Sequence, residues 1–485
     1  MNYHSHLLDH LRSPNFITNQ SIFLQEGKAQ FTFSETLQII NALGKIFSTY
    51  VSVGDRVAIF LPRGIKAALS IYSVIYIGAI YVPLNYADPI ERIIFLLKNT
   101  EPKLIIGEGS CPLWAKDYIW INIKEYELNN FNSESKLKIQ ENRLAAILHT
   151  SGSTGTPKGV ALSHGAMKTF SDWAGNIFSV STSDIIANLS PLYFDLSVFD
   201  LFTSIRYGSR LVFMPQNLTI NPSAMIDWLI ENKITIWYTV PSMLGFLLKK
   251  GNINKLLSSN LRLILFAGEP ISKHVLLTFV ETLPNIEFYN LYGPVETNVC
   301  CYWKVNHSLL KKLDFVPIGL PSCNDKIKID NITNELMIKG PSLMDGYWIN
   351  NLQPHVGWYK TGDIVDKCET GDLVYKGRID RMFKYNGFRI EPYEIEHVLL
   401  SLPEVIETVV VLVKDEIISY VVVKNIVDKQ HILSILTKIL PSYMVPSQII
   451  FLNCLPKLPN GKIDLVKIQH VEEKSVLYNV IVNPK

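Results

Sequence analysis

Residues 148–160 read LHTSGSTGTPKGV, directly after the apolar run LAAIL at 144–148. Glycine lets a backbone approach a ligand closely and present its N–H groups, and the serine and threonine hydroxyls add donors. An anion is the natural guest. A flexible surface linker would have a similar composition, but the position at the end of an apolar strand favours a ligand loop. The run is not a Walker A loop, because Lys158 is followed by Gly159 and no GxxxxGK[ST] can be read. A strand that delivers such a loop belongs to an α/β chain, and the flanking sequence keeps that rhythm. Apolar runs at 56–61, 79–83 and 104–107 read as strands, with helical patterns at 67–77 and 166–178. Further on, 234–239, 261–267 and 286–289 read as strands and 273–282 as a helix. This alternation predicts an α/β fold with largely parallel sheets and flanking helices.

From 318 to 378 the pattern becomes strand and turn, a β-rich subdomain. After Asp380 it changes again, to a helix at 392–400, strands at 405–413 and 417–423, and a helix at 431–439. The expected division is a large N-terminal domain, 1–379, and a small α+β C-terminal domain, 380–485, joined at 376–380 (KGRID).

Composition narrows the function. Lys+Arg 46 against Asp+Glu 44 leaves a net charge of +2, without the basic excess that marks a nucleic-acid binder. Hydrophobic residues at 48% and charged residues at 19% exclude a disordered chain. The cysteines at 111, 300, 301, 323, 368 and 454 form no CxxC pair, which fits a reduced, cytoplasmic protein. The start, MNYHSHLLDH, lacks the basic and apolar regions of a signal peptide. The apolar stretch 67–84 raises the question of a membrane span. Lys66 just before it, and Ser70, Ser73, Gly78 and several tyrosines within it, favour a buried helix leading into a strand.

Three more motifs carry chemistry. In YNLYGPVET (289–297), Tyr292 offers a ring face for stacking, Gly293-Pro294 a tight turn and Glu296 a hard oxygen suited to Mg²⁺. A solvated glutamate on a turn is the plainer alternative. In WYKTGD (358–363), with Arg378 beyond it, Asp363 could cap a turn or bind the two hydroxyls of a ribose. In LPKLPNGKID (455–464), Lys462 follows an Asn-Gly turn and is most simply a solvated loop lysine.

In their order along the chain, HTSGSTGTPKGV, NLYGPVET, YKTGD, GRIDRMFKYNGFRIEPYEIE and LPNGK resemble the adenylate-forming superfamily of acyl-CoA synthetases, luciferases and nonribosomal-peptide adenylation domains, over residues 31–464. That resemblance implies ATP and Mg²⁺. It places Thr150, Ser151, Gly152, Ser153, Thr154 and Lys158 on the β- and γ-phosphates, and Tyr292 on the adenine. Asn290, Gly293, Thr297 and Tyr375 also line the ATP site. Glu296 would ligate Mg²⁺, and Asp363, helped by Arg378, would hold the ribose. Lys462 would be the catalytic residue, touching substrate carboxylate and nucleotide, and Asp380 the hinge of a mobile small domain. Gly387 would lie in the loop lining the pantetheine passage.

Residues 189–202, LSPLYFDLSVFDLF, bear on the substrate. Asp195 matches the aspartate that amino-acid-activating members of the superfamily use to hold the α-ammonium, a charge-assisted pair; a helix N-cap is the alternative. The superfamily's pocket positions map onto Asp195, Leu196, Phe199, Tyr238, Leu265, Ala267, Leu291, Val299, Cys300 and Lys462. Between the charged ends this lining is apolar apart from one phenol and one thiol. A charged or amide side chain would go unpaired at a cost of several kcal/mol, so the expected substrate is a small or medium apolar amino acid.

The pocket string is similar to that of free-standing L-prolyl-carrier-protein synthetases, which implies L-proline, with valine, alanine and pipecolate as competitors. No GxxS phosphopantetheine site follows Lys462 and no HHxxxDG motif precedes the core. The expected partner is therefore a separate peptidyl carrier protein bearing 4′-phosphopantetheine, with no nucleic acid and no membrane. The rivals are an acyl-CoA synthetase of the same fold and a non-catalytic nucleotide-binding protein. Cys300 reads as a small buried hydrophobe rather than a redox group.

Overall fold

The computed structural model describes residues 6–12, 19–126, 144–151, 156–425, 427–458 and 463–469. Chain contacts divide into two units. The first comprises Met1–Tyr86, Leu97–His149 and Gly159–Ile379; the second comprises Ala87–Leu96, Thr150–Lys158 and Asp380–Lys485.

In the first unit, the described residues form a nine-stranded and an eight-stranded sheet with helices against them, plus a four-stranded antiparallel sheet. The middle of the nine-stranded sheet is parallel. Its strands run Glu287–Tyr292, Leu263–Phe266, Ile236–Thr239, Ile185–Asn188, Arg210–Phe213 and Ile22–Glu26. Such strands are covered on both faces and so read as unbroken apolar runs: in LILF at Leu263–Phe266 every residue is buried. Its two ends are antiparallel, with Cys301–Lys304 and then Leu320–Pro321 on one side and Ala29–Thr32 on the other. The helices start on local signals. Phe33–Phe47 begins with a Thr32/Glu35 capping box, and the Ser163 hydroxyl accepts from the Ala166 N–H at the start of His164–Ile177.

The stretch 67–84 resolves into the buried helix Ile65–Tyr76 and the strand Ile80–Pro83. Among the described residues no helix is long and apolar enough to cross a membrane. The β-rich part is the antiparallel sheet Lys326–Ile329, Glu335–Lys339, Tyr359–Lys367 and Leu373–Arg378.

In the second unit the helix Pro392–Leu400, with proline in its first turn, packs on the hairpin of Val405–Val413 and Glu416–Val423. Gln448–Phe451 joins that hairpin in parallel. Lys414 and Asp415 both take positive φ, and so do Asn386 and Gly387 between the short strands Phe383–Tyr385 and Phe388–Ile390. Two left-handed residues in a row make the turn that suits the right-handed twist of a hairpin. Arg92 is buried here against Glu394 at 2.5 Å, with Asp88 at 3.4 Å.

Candidate active site

The strand Glu287–Tyr292 delivers Tyr292 to a tight turn. Gly293 is required there: a Cβ on it would lie 2.3 Å from the Asn298 carbonyl oxygen. Two residues into the turn Glu296 is wholly buried, as is Thr297, so the solvated-glutamate alternative does not hold. The Tyr347 hydroxyl donates to Glu296 Oε1 at 2.7 Å, and the Met344 N–H donates to its backbone oxygen at 2.7 Å. The carboxylate is thereby aimed and kept from water.

Tyr292 reaches the four-stranded sheet. Its hydroxyl donates to Asp363 Oδ2, and Arg378 donates to Asp363 Oδ1 and, at 3.1 Å, to the Thr361 carbonyl. Asp363 and Arg378 stand opposite each other across one antiparallel ladder, which explains how residues far apart in sequence meet. Burial, reinforced by the Asp363 charge, pushes the Tyr292 phenol well above its ordinary pKa, so it stays a donor. Asp363 is only 3% exposed, yet each of its oxygens keeps lone-pair capacity for a further donor. The Asn290 amide donates to the Pro317 carbonyl at 2.7 Å, and Tyr375 packs against the cluster that holds Tyr292.

A second constellation lies along the same sheet. Tyr238 and Leu265 are paired on neighbouring parallel strands, and Leu291 follows on the next. They belong to one buried cluster with Leu196, Phe199, Ala267 and Val299. The rings of Phe199 and Tyr238 meet edge to face, centroids 5.6 Å apart. Cys300 instead packs with Tyr292, Cys301 and Ile318 in a separate cluster, and burial pushes its thiol pKa well up, which fits an inert buried thiol. Asp195 is 8% exposed and precedes the short helix Leu196–Val198. Its side chain makes no capping hydrogen bond, so the N-cap alternative fails. Burial first, then the charges of Asp195 and Asp200, raises the Tyr238 pKa well above the ordinary value. An acid beside an apolar wall can select a cation while the wall rejects polar side chains.

In the second unit, Thr150 and Ser151 are buried, and the Ser151 hydroxyl donates to the Arg389 carbonyl at 2.6 Å. Lys158 is half-buried at the start of the strand Lys158–Ser163, and Asp380 accepts from the Met382 N–H at 3.3 Å. Gly152, Ser153, Thr154 and Lys462 lie outside the described residues.

The AMP-binding enzyme family model matches residues 16–348, and that for the AMP-binding enzyme C-terminal domain matches 394–462. The chain belongs to the AMP-binding enzyme family. Among relatives of this AMP-binding enzyme, an L-proline–[L-prolyl-carrier protein] ligase of Streptomyces coelicolor is 32% identical, over 90% of this chain and 91% of that protein. A ligase of the same name from Pseudomonas fluorescens is 30% identical, over 88% and 91%. The adenylation domain AlmE of Vibrio cholerae, solved with glycyl-adenosine-5′-phosphate, superposes with a TM-score of 0.80 at 23% identity, over 93% of this chain and 94% of that one. That likeness gives the fold. Asp195, Tyr292 and Glu296 lie inside the first matched span, and Lys462 is the last residue of the second.

Sequence reasoning missed Tyr347, Arg63, Asn188 and Asp200. The last had a signal: an aspartate flanked by Phe199, Leu201 and Phe202 must be buried or paired.

Proposed function

We propose that this AMP-binding enzyme activates L-proline as prolyl-AMP and passes the prolyl group to the phosphopantetheine thiol of a separate carrier protein. One observation carries the amino-acid reading: Asp195 stands at the start of its helix without capping it, beside the buried cluster of Phe199, Tyr238 and Leu265. A buried acid beside a greasy wall suits an ammonium on a compact apolar body. Proline is such a body, and its secondary ammonium keeps its charge. Both carrier-protein relatives named above support proline and a carrier partner.

In the first step a carboxylate oxygen of proline attacks the α-phosphorus of ATP, the bond to the bridging oxygen breaks and pyrophosphate leaves. In the second the carrier thiol gives up its proton and attacks the prolyl carbonyl, and AMP leaves. Asp195 holds the ammonium. Asp363, with Arg378 and Tyr292 fixing its two oxygens, takes the ribose hydroxyls. Lys462 offsets charge where two anions must approach. Lys158, Thr150, Ser151, Gly152, Ser153 and Thr154 bind the outer phosphates, and Asp380 is the pivot of the small domain.

Among the described residues no cluster of three metal-ligating side chains occurs. Mg²⁺ that binds phosphate oxygens needs only one or two protein carboxylates, and the oxygen-only, buried Glu296 held by Tyr347 fits that demand. When bound, the ion would neutralise phosphate charge.

The test is ATP–pyrophosphate exchange across the twenty amino acids and pipecolate, followed by loading of a phosphopantetheinylated carrier protein read by mass. Exchange should peak with L-proline. A preference for a charged side chain, or equal exchange with a carboxylic acid lacking an amine, overturns the reading.

A further inference from the structure

The segment that carries Asp195 begins where two parallel strands stop. Ile185–Asn188 and Arg210–Phe213 run in register to the pair Asn188–Phe213, and the Met214 N–H still reaches the Asn188 oxygen at 3.2 Å. Beyond that point the carbonyls of Leu189, Ser190 and Met214 have left the ladder. Buried carbonyls need donors, and two side chains supply them. The Arg63 guanidinium donates from one nitrogen to Leu189 and from the other, at 2.7 Å, to Met214. The Asn188 amide donates to Ser190 at 3.2 Å and to Asp200 Oδ2 at 2.7 Å.

Asp200 is wholly buried in the π-helical turn Phe199–Thr203, next to Phe199 and five positions after Asp195. A π turn re-aims side chains and is frequent at functional sites. Asp200 Oδ1 and Asn188 Oδ1 have no hydrogen-bond partner among the described residues. A neutral carboxyl would be tolerated there far better than an ionised one, and burial pushes its pKa up to about 8, against the opposing pull of Asn188 and Arg63. The chain just after Arg63 is anchored in turn. Glu26 Oε2 accepts from the Ile65 N–H at 3.0 Å, and a Cβ on Gly64 would fall 2.7 Å from that oxygen.

We propose that Arg63, Asn188 and Asp200 form a buried polar clamp that positions the Asp195 segment and Phe199, and so sets the enzyme's selectivity for an amine-bearing substrate. They are positioning residues: they act through the backbone at 189–190 and the turn at 199–203. The proposal rests on the amino-acid reading above. Mobility of an acid that must meet a cation is paid in ground-state affinity, so losing the clamp weakens amino-acid binding and leaves the nucleotide's residues untouched.

The experiment measures the KM for L-proline and for ATP separately, by pyrophosphate exchange, in R63M, R63K, D200A and D200N, with circular dichroism to confirm folding. R63M and D200A should raise the proline KM on the order of tenfold or more, as expected for a lost hydrogen bond to a charged or buried group, with the ATP KM within roughly twofold. D200N keeps an acceptor for Asn188 and should recover most of the loss. R63K reaches one carbonyl instead of two and should fall between R63M and the wild type. If R63M or D200A does not fold, R63K carries the test, and a wild-type proline KM in it overturns the clamp. Equal shifts in both KM values, or no rescue by D200N, also overturn it. A wild type that exchanges with no amino acid sinks the amino-acid reading and the clamp together. A wild type active on proline whose variants match it refutes the clamp alone.

Discussion

Replacing Asp195 by asparagine removes a charge and keeps the size of the side chain. The amide has the shape of the carboxyl, and the side chain makes no capping bond whose loss would unsettle the helix Leu196–Val198. Stability should therefore hold. Opposite charges about 4 Å apart near a protein surface attract by about 4 kcal/mol at an effective dielectric of ~20. Asp195 is 8% exposed, so that figure applies better than the bulk-water one. Asparagine can still accept one hydrogen bond from the ammonium, worth about 1 kcal/mol. The net loss of about 3 kcal/mol corresponds to roughly two orders of magnitude in kcat/KM for proline, with the ATP KM little changed. Tetrahydrofuran-2-carboxylate has the same ring with an oxygen in place of the ammonium, and it provides the control. Its activation should be poor in the wild type and no worse in the variant, so the discrimination between the two acids collapses. Assays of hydroxamate formation with both substrates read this directly. An equal loss for both acids would show that Asp195 serves packing and not charge.

Three further outcomes follow from the same geometry. Lys462→Ala should slow adenylation by a factor equivalent to about 3–4 kcal/mol of barrier while ATP binding persists; calorimetric titration with ATP and pyrophosphate exchange separate the two. Tyr347→Phe takes a donor from the buried Glu296 carboxylate, at about 1–3 kcal/mol, and should move the magnesium activation midpoint several-fold; an unchanged midpoint would detach Tyr347 from the metal. The third concerns pH. Asp200 holds its proton up to about 8 when folded, whereas an unfolded aspartate loses it near ~4. Between those values the unfolded state binds fewer protons, so stability falls as pH rises, by up to about 1.4 kcal/mol per unit from this one group. Its contribution is complete below the unfolded pKa and lost as pH passes the folded one. The groups that act on it or feel it are Asn188, Arg63, Tyr72 and Tyr238. Asp200→Asn should remove this decline, seen as a flatter urea midpoint between pH 5.5 and 7.5; an identical slope would place the ionised form in the fold.

Much of the architecture was legible because its cues are local. The helix Pro392–Leu400 announces itself by a proline in the first turn and apolar spacing, and the strand Leu263–Phe266 by an unbroken apolar run. The helices Pro222–Glu231 and Pro241–Lys250 were not read, although Asn221 and Pro222 supply a cap and a first-turn proline for the former. The strand Ile22–Glu26 is too short and too exposed at one end to stand out, and only pairing with Arg210–Phe213 makes it one. At the site, residues clustered in one motif, such as Tyr292 and Glu296, could be found by reading. Bonds that close over distance could not: Tyr292 to Asp363 spans 71 positions, and Arg63 to Leu189 spans 126. No periodicity encodes which orphaned carbonyl a distant guanidinium will find.

Asp195 and Asp200 show why residue type alone cannot assign chemistry. Both stand in the one run LSPLYFDLSVFDLF, both are buried, and both lie near Tyr238, whose phenol registers each of them. Their surroundings differ in one decisive respect. Asp200 has an amide donor from Asn188 and no exposure, so a substrate has no way to reach it and its proton is retained near neutral pH. Asp195 retains an edge of exposure beside the apolar cluster, where the proposed ammonium would meet it. If both carried charge, the ammonium would face two anions, and selection would weaken toward any cation, basic side chains included. On the proposed reading, holding Asp200 neutral leaves Asp195 as the one acid offered to the ammonium, which a compact imino acid would require more than a long, flexible cation does.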